Sequence, residues 1–249
     1  MKFYVLKSRH LFIFFAVLIF LGVTFGHIAS TPVFKVGNRE IPIYSVKRED
    51  NAIALTFNCA WGDEDIDTIL NTLKQYDVRS TFFIVGTWAE KYPEAVKKIF
   101  DNGHEIANHS YNHDHYSDWS KEQIISDIEK CDNLLFNITG TKPTLFRAAY
   151  GEYNDNVVAA CEENGRFYIQ WSVDSLDYGD AETDAIIERV TKKAKSGDII
   201  LMHTGTKNTK NALPKILDTL TKEYSLIKAS DLIYKENYTI DSQGTQIKK

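Results

Sequence analysis

Between residues 52 and 228, short runs rich in β-branched and aromatic residues alternate with amphipathic segments of helical period, and no other feature limits the fold as much. The strand candidates are 52–57, 80–85, 105–107, 144–146, 167–171, 199–202 and 225–228. The helix candidates are 66–76, 88–102, 121–138, 156–164, 181–194 and 213–221. Ile66, Ile69, Leu70 and Leu73 fall on one helical face, and Gly103, Gly140, Gly165 and Gly197 stand where such segments should stop. Strand alternating with helix implies an α/β fold with a parallel sheet. Seven units in roughly 190 residues suit a distorted (β/α)7, TIM-like barrel, closed or incomplete, better than two domains. On this reading 31–50 is an extended linker or edge segment, 51–236 the domain, and 237–249 a frayed polar tail.

Residues 1–30 are a different material. Lys2, Lys7, Arg9 and His10 precede an apolar run with no charge from residue 11 to 26, just long enough to span a bilayer core. A basic start before such a run is a membrane anchor or a cleaved signal segment, and it stands outside the fold. His27 interrupts the small-x-small pattern before Ala29, which favours an uncleaved hydrophobic helix. Lys and Arg ahead of the run keep the amino terminus in the cytoplasm. The domain is then held to the membrane through residues 11–29 on the extracytoplasmic face, or secreted if the segment is cleaved. A net charge of −5 gives nucleic acid no electrostatic footing. Cys59, Cys131 and Cys161 are too few and too scattered for a disulfide framework or a zinc finger.

Reactive residues collect after the strand candidates. Asn58 and Asp63 follow the first, NHSYNHDH with His109, His113 and His115 the third, and RAAYGEY with Arg147 and Tyr150 the fourth. SVDSLDY, with Asp174 and Asp177, follows the fifth, and His203 the sixth. In a barrel these strand ends share one face, and that face holds the active site. His109 and His113 are four residues apart, one helical turn, so both imidazoles can reach one metal ion. A carboxylate from another strand would complete the set. Asp174 and Asp177 equally suit helix capping or ion pairing, and Arg147 a structural salt bridge. Trp61, Tyr150, Trp171 and Tyr178, each more often a core residue when taken alone, could together wall a groove for sugar rings.

Taken in order, TFN…WGD, NHSYNH, RAAYG, SVDSLDY and ILMH resemble the motifs of the polysaccharide deacetylases of NodB homology, and most nearly the membrane-anchored sporulation deacetylases of spore-forming bacteria. The resemblance covers residues 50–235. It implies a distorted (β/α)7 barrel and a monomeric hydrolase that removes N-acetyl groups from amino sugars of a cell-wall polysaccharide, peptidoglycan being the natural candidate. It implies one divalent ion, zinc or cobalt, on His109, His113 and Asp63. It further implies that His203 is the general acid, oriented by Asp177, and that Arg147 holds the base carboxylate. A backbone N–H near Tyr150 would receive the oxyanion, and Leu201, with Trp61 and Tyr178, would line the substrate pocket.

The departures from that pattern lie in the first motif. Where the family has two adjacent aspartates, base and metal ligand, this chain has Asn58 and Cys59. An amide has no useful basicity, and general-base help is worth roughly 10²–10⁴ in rate. Asp63, Glu64 or Glu152 would have to compensate; Cys59 reads as a thiolate ligand or as a small buried residue. RAAYG also lacks the proline that usually follows the arginine. Two readings therefore stand: an active metal-dependent deacetylase, and a catalytically impaired homologue that binds wall glycan or a spore-envelope partner. A glycosidase using two carboxylates would explain the acids but not the histidine pair.

Overall fold

Strand β2 (Ala52–Cys59) is buried along its whole length, and its two faces differ. Ile53, Leu55, Phe57 and Cys59 pack with the helices, while Ala52 and Ala54 pack inward and are followed on that face by Thr56 and Asn58. A strand covered on both sides in this way belongs in a parallel sheet. The computed structural model describes residues 41–179 and 181–249. The expected hydrophobic helix at 1–30 lies outside the described residues. Among the described residues, no helix is long and apolar enough to cross a membrane.

The remaining strands are β1 (Ser45–Val46), β3 (Thr81–Ile84), β4 (Glu105–Asn108), β5 (Leu145–Phe146), β6 (Phe167–Tyr168), β7 (Val173–Asp174), β8 (Ile199–His203), β9 (Ser225–Leu226), β10 (Tyr238–Ile240) and β11 (Thr245–Lys248). The helices are α1 (Ile66–Gln75), α2 (Gly86–Lys91), α3 (Pro93–Asp101), α4 (Lys121–Thr139), α5 (Asp155–Glu163), α6 (Thr183–Lys193), α7 (Thr209–Leu220) and α8 (Ala229–Leu232). The main sheet runs β6-β5-β4-β3-β2-β8-β7, parallel throughout, with β9 paired to the first residues of β2. This is the cyclic order of a seven-stranded barrel, curled but open between β6 and β7. The sequence expectation of a parallel α/β fold therefore holds, and of the closed and incomplete barrels it left open the structure is the incomplete one.

Two terminal segments lie across the open side. Residue Ile43 bridges Ile169 beyond β6, and Ser45 bridges Asp198 before β8. The stretch read as a linker is thus, over its described part, a strap across the seam. The polar tail read as frayed is a hairpin, β10–β11, whose second strand pairs with β1. Tyr238, Ile240 and Gln246 are buried there, and Gln246 bonds both the N–H and the carbonyl of Tyr234. Helix 88–102 is in fact two helices. Pro93 has no N–H to continue α2, and it opens α3 at the first turn, where none is needed.

Candidate active site

Register along the sheet brings the reactive residues together. Asn58 is paired across from His203, and both occupy the carboxyl-terminal ends of their strands, with Leu201 two residues earlier on the same face. Arg147 leaves β5 and is fully buried beneath them. Its guanidinium donates to Asn58 Oδ1 (2.8 Å), Thr56 Oγ1 (3.1 Å) and the carbonyls of Ile169 (3.3 Å) and Gln170 (3.2 Å). It also lies 3.8 Å over the Phe83 ring. Among the described residues no carboxylate forms an ion pair with it. The cation is held by neutral acceptors and aromatic faces, and burial pulls its pKa down to about 9.

This contact fixes the polarity of Asn58. An arginine can only donate, so the amide oxygen must face Arg147 and the amide NH2 must point the other way. Asn58 lines the cavity described below, so the face it turns to that cavity carries a hydrogen-bond donor.

His203 and Asp177 form the complementary half. His203 Nδ1 lies 2.7 Å from Asp177 Oδ1, and Asp177 Oδ2 accepts the His203 backbone N–H at 2.8 Å. Thr209 also donates to Oδ2. The buried carboxylate is thereby satisfied by three donors, fixes the Nδ1–H tautomer, and leaves Nε2 for the cavity. Neighbouring loops are tied together nearby: both oxygens of Asp65 accept the Gly205 N–H (2.9 and 3.0 Å). Asp65 stands at the N-cap position of α1 but makes no cap bond with its side chain, which is why its sequence position concealed this role.

His109 and His113 meet by a different route from the one their spacing suggested. They lie in the loop between β4 and α4, not on a helix, and Ser110 (φ 66°) and His113 (φ 64°) adopt left-handed backbone. Their ring centroids are 5.1 Å apart. Two acids on α4 hold the loop. Asp132 binds Asn108 (2.7 Å) and Arg166 (2.8 Å), and Asp127 receives the Tyr111 N–H (2.8 Å) and the Tyr116 hydroxyl. Sequence reading missed both, because on a surface helix an aspartate ordinarily faces water.

His109 Nδ1 sits 2.7 Å from the Arg147 carbonyl, so it carries the proton. Its Nε2 is buried without a hydrogen-bond partner among the described residues, and burial holds the ring well below the usual histidine pKa. A buried imidazole lone pair with a neighbouring imidazole is the donor chemistry of a metal ligand pair. His109 and His113 thus fit a divalent cation. Asp63 does not join them: it is exposed on the loop after β2, and among the described residues no group of three His, Cys, Asp or Glu side chains is gathered for a metal. The other compensating acids are also elsewhere. Glu152 is engaged by His115 (2.6 Å) and the Tyr116 N–H (3.2 Å), and Glu64 is exposed. Cys59 points into the helix-side core, where burial pushes its thiol up, so it is a packing residue.

A cavity of about 290 Å³ joins these residues; it is lined by Asn58, Trp61, His113, Tyr150, Tyr178, Leu201 and His203, among others, with Asp174 in its wall. Trp61 and Tyr178 each lie 5.2 Å from the His203 ring. Trp61 (47%), Tyr150 (57%) and Tyr178 (51%) are far more exposed than core aromatics, so they form a mouth and not a core.

Parallel strands thus deliver a histidine pair, a buried arginine and a His–Asp pair to one aromatic mouth. The chain belongs to the polysaccharide deacetylase family, whose model matches residues 45–169. A peptidoglycan-N-acetylglucosamine deacetylase of Bacillus cereus is 34% identical over 196 residues, 76% of this chain and 92% of that protein. The peptidoglycan-N-acetylmuramic acid deacetylase PdaC of Bacillus subtilis is 30% identical over 189 residues, 76% of this chain and 40% of that one. Among solved structures, a CE4 family pseudoenzyme from Bacillus anthracis matches with a TM-score of 0.75 at 32% identity, over 78% of this chain and 69% of its own. A mutant of that pseudoenzyme has restored enzymatic activity. Against two further relatives the chain spans 60% and 62% of their length.

Proposed function

We propose that this protein acts on N-acetylated amino sugars of a cell-wall glycan, peptidoglycan being the substrate that its relatives favour, by metal-dependent removal of the acetyl group. The observation that carries this reading is the His203–Asp177 pair, set beside Leu201 and opposite His113 in one cavity. His109 and His113 would hold the divalent ion, zinc or cobalt, which when bound polarises the acetamide and its attacking water. The chain's own groups do the rest. His203 Nε2, in the tautomer fixed by Asp177, is placed to hand a proton to the departing amine. Leu201 offers an apolar wall to the acetyl methyl, and Trp61 and Tyr178 flank the sugar. The uncharged run at residues 11–26 supports an anchored, extracytoplasmic setting, and the resemblance of the motifs to those of sporulation deacetylases supports a role in sporulation.

One observation favours a second reading, a weakened enzyme that chiefly binds wall glycan. Asn58 presents an NH2 donor to the cavity while Arg147 keeps its oxygen, so the base half of the reaction has no carboxylate. Acetate release from N-acetylglucosamine oligomers and from peptidoglycan, with added zinc or cobalt, separates the two. Asn58→Asp supplies a base and a partner for Arg147, and turnover should rise by roughly 10²–10⁴ with metal content unchanged. Equal turnover in the two proteins would remove Asn58 as the limiting defect.

A further inference from the structure

His115 is the third histidine of the NHSYNHDH segment, and neither half of the proposed reaction uses it. It is not idle. Its ring is stacked on Tyr150, with centroids 3.9 Å apart and planes within 7°. Its Nδ1 lies 2.6 Å from Glu152 Oε1, so the imidazole is held at one edge while its face supports the tyrosine. Glu152 is itself fixed: its Oε2 accepts the Tyr116 N–H (3.2 Å), and its carbonyl accepts the Tyr168 hydroxyl.

Tyr150 needs such support. It takes left-handed backbone (φ 58°), which a residue with a β-carbon disfavours. More than half of the side chain is exposed, yet its ring sits edge-on to His113 at 4.6 Å and lines the cavity. An exposed aromatic ring in one fixed pose is a surface for the apolar face of a sugar; the same ring free to rotate would lose ordering entropy on each binding event. Glu152, His115, Tyr150 and His113 form a continuous chain of contacts from loop to cavity.

We propose that His115, whose flat ring lies stacked against Tyr150, is a positioning residue that presents Tyr150 as the stacking platform at the cavity mouth. The proposal rests on the glycan reading above for the nature of the ligand. Its geometry concerns only this chain, so the test has two arms. In the first, tetra-N-acetylchitotetraose is titrated into the full chain by calorimetry. His115→Ala should bind about five- to tenfold more weakly than wild type, and His115→Phe, which keeps a flat ring under Tyr150, should stay within about twofold. In the second, the His113 ring-proton shifts are read by NMR without ligand, because the Tyr150 ring current acts on them. Those shifts should move in His115→Ala and be restored in His115→Phe. Unchanged His113 shifts in His115→Ala overturn the proposal whether or not glycan binds. So does wild-type affinity in that variant, or failure of His115→Phe to rescue it. If wild type binds no oligosaccharide while the shifts behave as expected, the positioning role of His115 stands and the glycan reading falls.

Discussion

At the scale of single residues, the buried charges and imidazoles decide most. Arg147 has no carboxylate partner among the described residues, and every hydrogen-bond acceptor around it is neutral. His104 gives a separate handle on stability. Its Nδ1 accepts the Ser80 N–H at 3.1 Å inside the fold, and burial lowers its pKa from 6.5 to about 4. A neutral histidine that resists protonation stabilises the fold fully above the unfolded pKa, and that contribution is lost as pH falls toward 4. Between pH 7 and pH 5 the loss should be about 2 kcal/mol. Urea unfolding at the two pH values checks this against His104→Gln, whose side-chain oxygen can still accept from Ser80. The variant should show a flatter pH dependence, and an unchanged slope would remove His104 as its source.

Secondary-structure elements were legible where their pattern was long and at the short strands β4, β5, β6 and β9, while β1, β7 and the terminal hairpin were missed. Helix α1 begins and ends within a residue of its expected range because Ile66, Ile69, Leu70 and Leu73 define its face unaided. Strand β7, two residues long, leaves no period to read, and its existence depends on pairing with β8. The same is true of β1, which depends on partners distant in sequence. Gly197 was expected simply to end a helix. It also lies against the strap: it has φ +85°, and an added Cβ would come within 1.6 Å of the Val46 carbonyl. Gly197→Ala should therefore cost about 3 kcal/mol or more, by breaking the strap contact as well as straining the backbone. Gly165→Ala is the control, since its φ is +63° but no atom lies within 4 Å of the added carbon. It should cost about 1 kcal/mol. Equal losses in thermal unfolding would show that the strap contact contributes nothing.

For the domain as a whole, the open side of the curled sheet sets the requirement. Strands β6 and β7 do not pair, so the residues that close the barrel's lower seam must come from elsewhere, and they come from 41–46 and the terminal hairpin. Deleting residues 237–249 should uncover Ile43 and Val46, strip Tyr234 of both bonds to Gln246, and lower the melting temperature by about 5 °C or more. Calorimetry of the truncated chain tests this, and an unchanged transition would return the tail to the status of an appendage. By itself the sequence determined the parallel α/β class, the helix faces and the set of reactive residues, because hydrophobic period and strand-end position are local signals. Only the tertiary structure decided that the barrel stays open, that the histidines meet through a left-handed loop, and that Asp63 stands apart from them. It also decided which way Asn58 points. Those outcomes depend on contacts between segments far apart in the chain, above all on a buried arginine that can donate hydrogen bonds but never accept them.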